Sequence, residues 1–158
     1  MNIVVKLAYP THAEWVAQLI GELLREIMDT LGSEEFKFNL IEAKARAADF
    51  LERNVYFAFI AWSDDGNQPI GVISLYECHS LYAGGVFGTI AELYVRPEFR
   101  SQGIGCSLLE SAKDFGKSKS WKRLEVTTPP LPLFQRSLEF YEKQGFAVAG
   151  GHKLKSLL

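Results

Sequence analysis

The chain has little cysteine, little net charge and no long apolar run, and each of these shortages excludes a class of protein. Its 158 residues contain two cysteines, Cys78 and Cys106, which lie too far apart in sequence to form a metal-ligand pair. No apolar stretch approaches the roughly 20 residues that a membrane span requires. The formal net charge of -2 gives no electrostatic reason to expect a nucleic-acid partner. We therefore expect no metal, no nucleic acid and no membrane among the partners of this protein.

The beginning of the chain also lacks the features of a targeting segment. Residues 1–10 carry one lysine, without the charged start and the small-residue cleavage site of a signal peptide. This favours a cytoplasmic location, where the two thiols stay reduced. The length and the ordinary composition, 47% hydrophobic and 23% charged, predict a single domain over residues 1–158 with a core of its own.

Hydrophobic periodicity and turn residues predict the order β-α-α-β-β-β-α-β-α-β-β. The predicted strands are Asn2–Ala8, Val55–Trp62, Ile70–Glu77, Val86–Val95, Arg123–Thr127, Phe146–Ala149 and His152–Leu158. The predicted helices follow Thr11 as far as Leu31 and cover about Leu40–Arg53, Gly103–Lys117 and Gln135–Gln144. This order predicts an α/β (α+β) fold, in which a mixed, mostly antiparallel central sheet of about seven strands carries about four helices on its faces.

One short stretch combines glycines with a change from strand to helix. Arg100-x-x-Gly103-x-Gly105 follows the strand that Pro97 ends and opens the next helix. Glycine permits positive φ and a close approach of the backbone to a ligand. The first N–H groups of a helix have no partner within it, and the helix dipole adds positive character there. With Arg100 as a neighbouring cation, the stretch favours a diphosphate site.

This glycine pattern alone is also compatible with ordinary turn glycines, and two nucleotide-binding alternatives are disfavoured by context. A Walker loop needs Gly-Lys-Ser/Thr, but Gly105 is followed by Cys106 and Ser107. A dinucleotide-binding fold places its glycines after the first strand. Here they come after an antiparallel meander, two-thirds of the way along the chain.

Two separated motifs make the chain resemble the GNAT family of N-acetyltransferases. The segment Arg100–Gly105 is similar to the family's acetyl-CoA signature, and Phe140–Phe146 is similar to its second signature, a helix that ends F-Y-x-x-x-G-F. The order of elements resembles that of the family as well, so the resemblance covers nearly the whole chain. It implies the acyl-CoA N-acyltransferase fold and an enzyme that moves an acetyl group from acetyl-CoA, its cosubstrate, to a primary amine.

The resemblance also implies which residues bind acetyl-CoA. In this family the loop after the fourth strand cradles the diphosphate with backbone N–H groups, and the strand before it pairs with the amides of pantetheine. The matching positions are Leu93, Tyr94, Val95, Arg100, Ser101, Gln102, Gly103, Ile104 and Gly105. A bulge N–H in the strand commonly polarises the thioester carbonyl, as an oxyanion donor does. The N–H groups of Leu93, Tyr94 and Val95 are the candidates for that donor.

Two side chains are candidates for proton transfer. Tyr141 matches the tyrosine that in this family often protonates the departing thiolate of coenzyme A, so it is also a cofactor contact; simple packing is the alternative. Glu92 interrupts an apolar strand, and its carboxylate needs a partner or a water-lined cleft. An amine with a pKa of about 10.4 is mostly protonated at neutral pH, so a base has to remove its proton before it attacks. Glu92 is the candidate base, with a purely structural ion pair as the alternative.

The resemblance implies that the first two helices and the hairpin of the third and fourth strands build the acceptor pocket. Acidic side chains in those segments suit a cationic amine, although a solvated helix face is the alternative. The acidic candidates are Glu22, Glu26, Asp29, Glu34 and Glu35, and the further lining candidates are Phe36, Phe38 and His79.

Two functions stay open at the level of sequence. The first is catalysis by direct attack of the amine on acetyl-CoA in a ternary complex, and the second is a non-catalytic acyl-CoA-binding sensor or interaction domain. The presence of both Glu92 and Tyr141 favours catalysis. Neither cysteine lies in a Cys-His nucleophile pattern, which argues against a covalent acetyl carrier. The resemblance further implies a homodimer, because dimers are frequent in this family.

Overall fold

Five strands form one sheet, and their order in the sheet follows their order in the chain, β1-β2-β3-β4-β5. The computed structural model describes residues 2–158 and divides them into two compact units, one that ends at Thr127 and one that runs from Thr128 to Leu158. The strands are β1 Val4–Leu7, β2 Phe57–Trp62, β3 Pro69–Ser80, β4 Gly85–Val95 and β5 Leu124–Val126. β1 to β4 pair antiparallel, and β5 lies parallel to β4.

Four α-helices lie within residues 2–158, three in the first unit and one in the second. They are α1 Ala13–Leu31, α2 Leu40–Glu52, α3 Ile104–Ser118 and α4 Gln135–Lys143. Gly32 ends α1 in the left-handed region at φ 70°, a conformation that glycine adopts without a steric penalty. Asn39 begins α2, because its side-chain oxygen accepts the N–H of Glu42 at 3.0 Å. None of the helices within residues 2–158 is both long and apolar enough to cross a membrane.

The alternation of side chains along the strands assigns the helices of the first unit to opposite faces of the sheet. Val16 and Leu19 of α1 belong to one buried cluster with Val72 of β3 and Tyr94 of β4. On the other face, a Cβ at Gly71 would lie 3.1 Å from a methyl group of Leu108 in α3. α1 and α2 therefore cover one face, and α3 covers the other.

Trp121 packs between β4 and α3. The indole N–H of Trp121 donates to Glu77 Oε1 at 2.7 Å, which fixes the ring in the plane where it meets two glycines. A Cβ built at Gly88 of β4 would lie 2.3 Å from the ring, and one built at Gly116 of α3 would lie 3.0 Å from it. Gly88 is thus required by close packing, and Gly116 leaves little room for a larger residue.

Replacing Gly88 with alanine is expected to lower the free energy of unfolding by about 2 kcal/mol, since overpacking a fixed ring forces the surrounding structure to shift. Chemical denaturation measures this loss. Gly116→Ala is the graded comparison: it presses on the same ring from farther away and gains helix propensity, so its loss is smaller. An equal denaturation midpoint for Gly88→Ala and the wild type would contradict the packing argument.

The predicted fold class is confirmed, whereas the predicted number of strands is wrong. The sheet has five strands rather than about seven, because Phe146–Ala149 and His152–Leu158 are not strands in this structure. A strand requires a neighbour to accept and donate its backbone hydrogen bonds. Residues 147–158 are exposed throughout, so their apolar side chains give the sequence pattern of strands without the burial that would stabilise them.

Candidate active site

A bulge divides β4 into two halves with different neighbours. Ser74 of β3 pairs with Glu92, but the adjacent Leu75 pairs with Ile90, so Ala91 is the extra residue. Before the bulge, β4 pairs with β5 through residues 88–90. After it, no strand among residues 2–158 pairs with β4 on the β5 side. The second half of β4 therefore has an open edge.

The direction of the backbone amides along this edge follows from two hydrogen bonds. The N–H of Arg96 donates to the carbonyl of Ile70 at 2.9 Å, and the N–H of Glu92 donates to Ser74 Oγ at 3.0 Å, so both face β3. Amide direction alternates from residue to residue along a strand. The N–H groups of Leu93 and Val95 consequently face the open edge, and that of Tyr94 faces β3.

The loop that connects β4 to α3 exposes a series of backbone donors. Ser101 has φ 61° and Gly103 has φ 82°, so two left-handed residues alternate with ordinary ones. Such alternation turns successive N–H groups to one side and forms a concave anion site. No backbone carbonyl among residues 2–158 accepts from the N–H of residues 101–103. The first intrahelical bond of α3 runs from Ser107 to Gly103, which leaves the N–H groups of residues 104–106 without a helical partner.

Two arginines after β4 connect this loop to α1. Arg96 donates to both carboxylate oxygens of Glu22, at 3.0 and 2.9 Å, and its side chain is 12% exposed. Arg100 donates to both oxygens of Glu26, at 2.8 and 3.0 Å, and to the carbonyl of Val95 at 2.8 Å. The sequence assigned the Arg100 cation to the diphosphate, but its guanidinium joins the loop to α1 in this structure.

Glu92 lies on the sheet face that α1 and α2 cover, and it is held by two hydroxyl groups. The phenol of Tyr56 donates to Glu92 Oε1 at 2.7 Å, and the hydroxyl of Ser74 donates to the same oxygen. Burial, and after it the neighbouring Glu92 carboxylate, raises the pKa of Tyr56 well above its usual value. The phenol therefore keeps its proton. The ion pair considered for Glu92 is not formed with any cation among residues 2–158.

An open cleft of about 780 Å³ lies between α1, the loop before α2 and the end of β4. Of the acidic candidates, Glu22, Glu26 and Asp29 line it, together with Phe38 and Tyr94. Burial, followed by the charges of Glu22 and Glu26, raises the pKa of Tyr94 to about 12. Since Arg96 and Arg100 already pair with Glu22 and Glu26, the cleft is less acidic than the sequence alone suggests.

The other predicted lining residues lie elsewhere. Glu34 pairs with Arg25 on the surface, and Glu35 and Phe36 are exposed outside the lining of the cleft. His79 lies 3.4 Å from Glu77 with a largely exposed side chain, also outside that lining.

Tyr141 belongs to the second unit and is buried there beside two aromatic rings. Its ring centroid lies 5.3 Å from that of Phe140 and 5.3 Å from that of Phe146. Burial raises the pKa of its phenol above the usual value, so the group carries its proton at neutral pH.

Two residues of this site, Tyr56 and Ser74, were not found by sequence reasoning. They carry no motif, and each acts on Glu92 from far away along the chain. Arg96 lies in the segment that resembles the family's strand-to-loop motif, but its pairing with Glu22 was not predicted. The available signal was weak: a serine within the apolar strand Ile70–Glu77 indicates a polar group that needs a partner.

The open edge of β4 continues into a loop of unpaired amides at the start of a helix. This arrangement suits an extended ligand that carries a diphosphate. The model of the acetyltransferase (GNAT) family matches residues 20–146. Because this match spans most of the chain, the protein belongs to the GNAT family of acetyltransferases, as the sequence motifs predicted. It is accordingly an acyltransferase.

Individual relatives are similar at low identity. A thialysine N-epsilon-acetyltransferase of Caenorhabditis elegans is 26% identical over 124 residues, which are 78% of this chain and 71% of that protein. The crystal structure of the ribosomal-protein-alanine N-acetyltransferase of Brucella melitensis biovar Abortus 2308 has 20% identity and a TM-score of 0.73 and covers 99% of both chains. An aminoglycoside acetyltransferase from an uncultured soil metagenomic sample has 18% identity and a TM-score of 0.77, with coverage of 99% of this chain and 97% of its own. The structural matches confirm the fold.

Proposed function

We propose that this protein transfers the acetyl group of acetyl-CoA to a primary amine of a small molecule or peptide, by direct attack in a ternary complex. The main support for the proposal is that two sets of backbone N–H donors follow one another in one segment of the chain. The outward amides of Leu93 and Val95 lie along the open edge of β4, and the amides of residues 101–106 follow in the loop. Acetyl-CoA has matching parts in the same order, two pantetheine amides and then a diphosphate, and it supplies the acetyl thioester.

We propose the N–H of Leu93 as the oxyanion donor. It faces the open edge two residues after the bulged Ala91, where β4 has just separated from β5. A backbone donor that is fixed in a sheet needs no reorganisation when negative charge develops on the thioester oxygen. The amide of Tyr94 is directed to β3, which argues against it in this role.

Glu92 is proposed as the base that removes a proton from the acceptor amine, directly or through a water molecule. Its carboxylate lies on the α1–α2 side of the sheet, the side on which the cleft opens. Glu22 and Glu26 in the cleft are already paired with Arg96 and Arg100, so the charge of the cleft does not by itself select a cationic amine. The relatives named above act, by their names, on an aminoglycoside, a thialysine and a protein alanine, and this variety supports an amine without identifying it.

Tyr141→Phe is expected to lower kcat by about 10-fold to 100-fold while it leaves the affinity for acetyl-CoA nearly unchanged. The physical reason is that a buried, protonated phenol acts on the thiolate only as it departs. Steady-state kinetics and calorimetric binding of acetyl-CoA separate the two quantities. A loss of affinity for acetyl-CoA together with a normal kcat would make Tyr141 a packing residue against Phe140 and Phe146.

A turnover assay tests the proposed function as a whole. Release of free thiol from acetyl-CoA is measured with a panel of polyamines, aminoglycosides, amino acids and peptides, and mass spectrometry identifies the acetylated product. We expect at least one amine to be acetylated. Tight binding of acetyl-CoA without any acetylated product would favour the non-catalytic sensor instead.

Three further expectations stay predictions. They are a cytoplasmic location, a homodimer, and a single functional domain over residues 1–158. Sizing in solution measures the oligomeric state. A single cooperative unfolding transition that includes both units tests the single domain.

A further inference from the structure

Ser74 is an unusual residue in this core. Its side chain is completely buried on β3, among apolar neighbours, directly opposite the bulge in β4. Its hydroxyl accepts the N–H of Glu92 at 3.0 Å and donates its own proton to Glu92 Oε1. One hydroxyl thus satisfies the backbone amide that the bulge displaces and at the same time holds the side chain of the same residue.

Tyr56 holds the same carboxylate oxygen from another direction. Its phenol donates to Glu92 Oε1 at 2.7 Å, and its ring lies against Phe50 of α2 with a centroid distance of 6.0 Å. An ionised carboxylate only accepts hydrogen bonds, and the phenol keeps its proton, so the direction of this bond is fixed. Two hydroxyl protons therefore converge on Oε1.

The second carboxylate oxygen of Glu92, Oε2, is not held in this way. No side chain or backbone group among residues 2–158 is hydrogen-bonded to Oε2. With Oε1 held by two donors, rotation of the carboxylate would break both bonds. We propose that Tyr56 and Ser74 are positioning residues, which fix Glu92 so that Oε2 alone is presented to the acceptor amine or to its bridging water. The proposal rests on the proposed role of Glu92 as base.

A merely structural role of the two hydroxyls makes a different prediction about coupling. If they act through Glu92, removing them costs no further activity once Glu92 cannot take a proton, whereas a loss of packing costs the same in either background. The measurement is a double-mutant cycle in kcat with Glu92→Gln, made in the full-length protein.

Tyr56→Phe is the decisive variant, because it removes the hydroxyl and keeps the ring on Phe50. We expect it to lower kcat by about 10-fold, in line with the loss of a hydrogen bond to a charged group, and to cause no further loss in the Glu92→Gln background. Ser74→Ala is expected to show the same coupling and a lower melting temperature, since it also leaves the N–H of Glu92 unpaired. Tyr9→Phe removes an exposed phenol at the end of β1 and serves as the matched control, with an unchanged kcat.

All variants are assayed with the best acceptor of the amine panel. In Tyr56→Phe the KM for acetyl-CoA is expected to stay within about twofold of the wild type. An equal loss of kcat from Tyr56→Phe in the wild-type and Glu92→Gln backgrounds would overturn the positioning proposal. A Glu92→Gln variant with full kcat would instead remove Glu92 from catalysis, so the two failures are distinguishable.

Discussion

Gly103→Glu is expected to abolish the stabilisation of this protein by acetyl-CoA. Gly103 lies at φ 82° at the start of α3, and a Cβ built on it meets no atom within 4 Å, so a side chain would extend from the loop into open space. A carboxylate there would place negative charge beside the amides of residues 101–106, where the proposed site receives a diphosphate. The wild type, with acetyl-CoA near 100 times its Kd, should gain about 2.7 kcal/mol, which raises the melting temperature by roughly 5–10 °C. Thermal melting with and without acetyl-CoA measures this difference.

Gly66→Glu is the matched control for strain and charge. Gly66 has φ 73° in the turn between β2 and β3, and its Cβ position is equally open. Both variants force glutamate into the left-handed region, at about 1–2 kcal/mol each. Gly66→Glu should nevertheless keep the full acetyl-CoA shift. A normal shift in Gly103→Glu would place the diphosphate elsewhere, and loss of the shift in both variants would indicate a general loss of stability.

Glu92→Gln is expected to lower kcat by about 10²-fold to 10³-fold near neutral pH. Glutamine has almost the same shape and can still accept from Tyr56 and Ser74, so the fold of β4 should be retained. What it loses is the ability to take a proton. An amine with a pKa of about 10.4 is present as free base at roughly one part in 10³ at neutral pH, so the variant depends on that small fraction.

The pH dependence of Glu92→Gln separates proton removal from electrostatic attraction. As the pH rises toward the pKa of the amine, the solvent supplies free base, and the deficit relative to the wild type should narrow. A deficit that is constant with pH would instead indicate that Glu92 attracts a cation. Glu98→Gln removes an exposed carboxylate just beyond β4 and should leave kcat unchanged.

The predictions that succeeded depend on local signals, and those that failed depend on pairing between distant segments. The start of α3 was predictable because the signals are local: Gly103 adopts a conformation that favours glycine, and Ile104 begins an apolar helical face. The end of α1 at Gly32 was predictable for the same reason. The two final strands were mispredicted because an apolar pattern alone does not say whether a neighbour exists to pair with it. The bulge at Ala91 could not be predicted either, because it depends on how β4 pairs with β3, and the sequence of one strand does not show that pairing.

Local patterns in the sequence were enough to predict the family, the order of the elements in the first unit, and the glycine loop with Glu92 and Tyr141 as candidates. Each of these depends on residues close together in the chain, whose backbone preferences act locally. The three-dimensional fold was needed to show that Arg100 pairs with Glu26 and that the amides of Leu93 and Val95 face the open edge. It also showed that Tyr56 and Ser74 donate to the same oxygen of Glu92. These contacts join residues 18–74 positions apart. They arise from the register of the strands and the packing of α1 and α2, which no local pattern encodes.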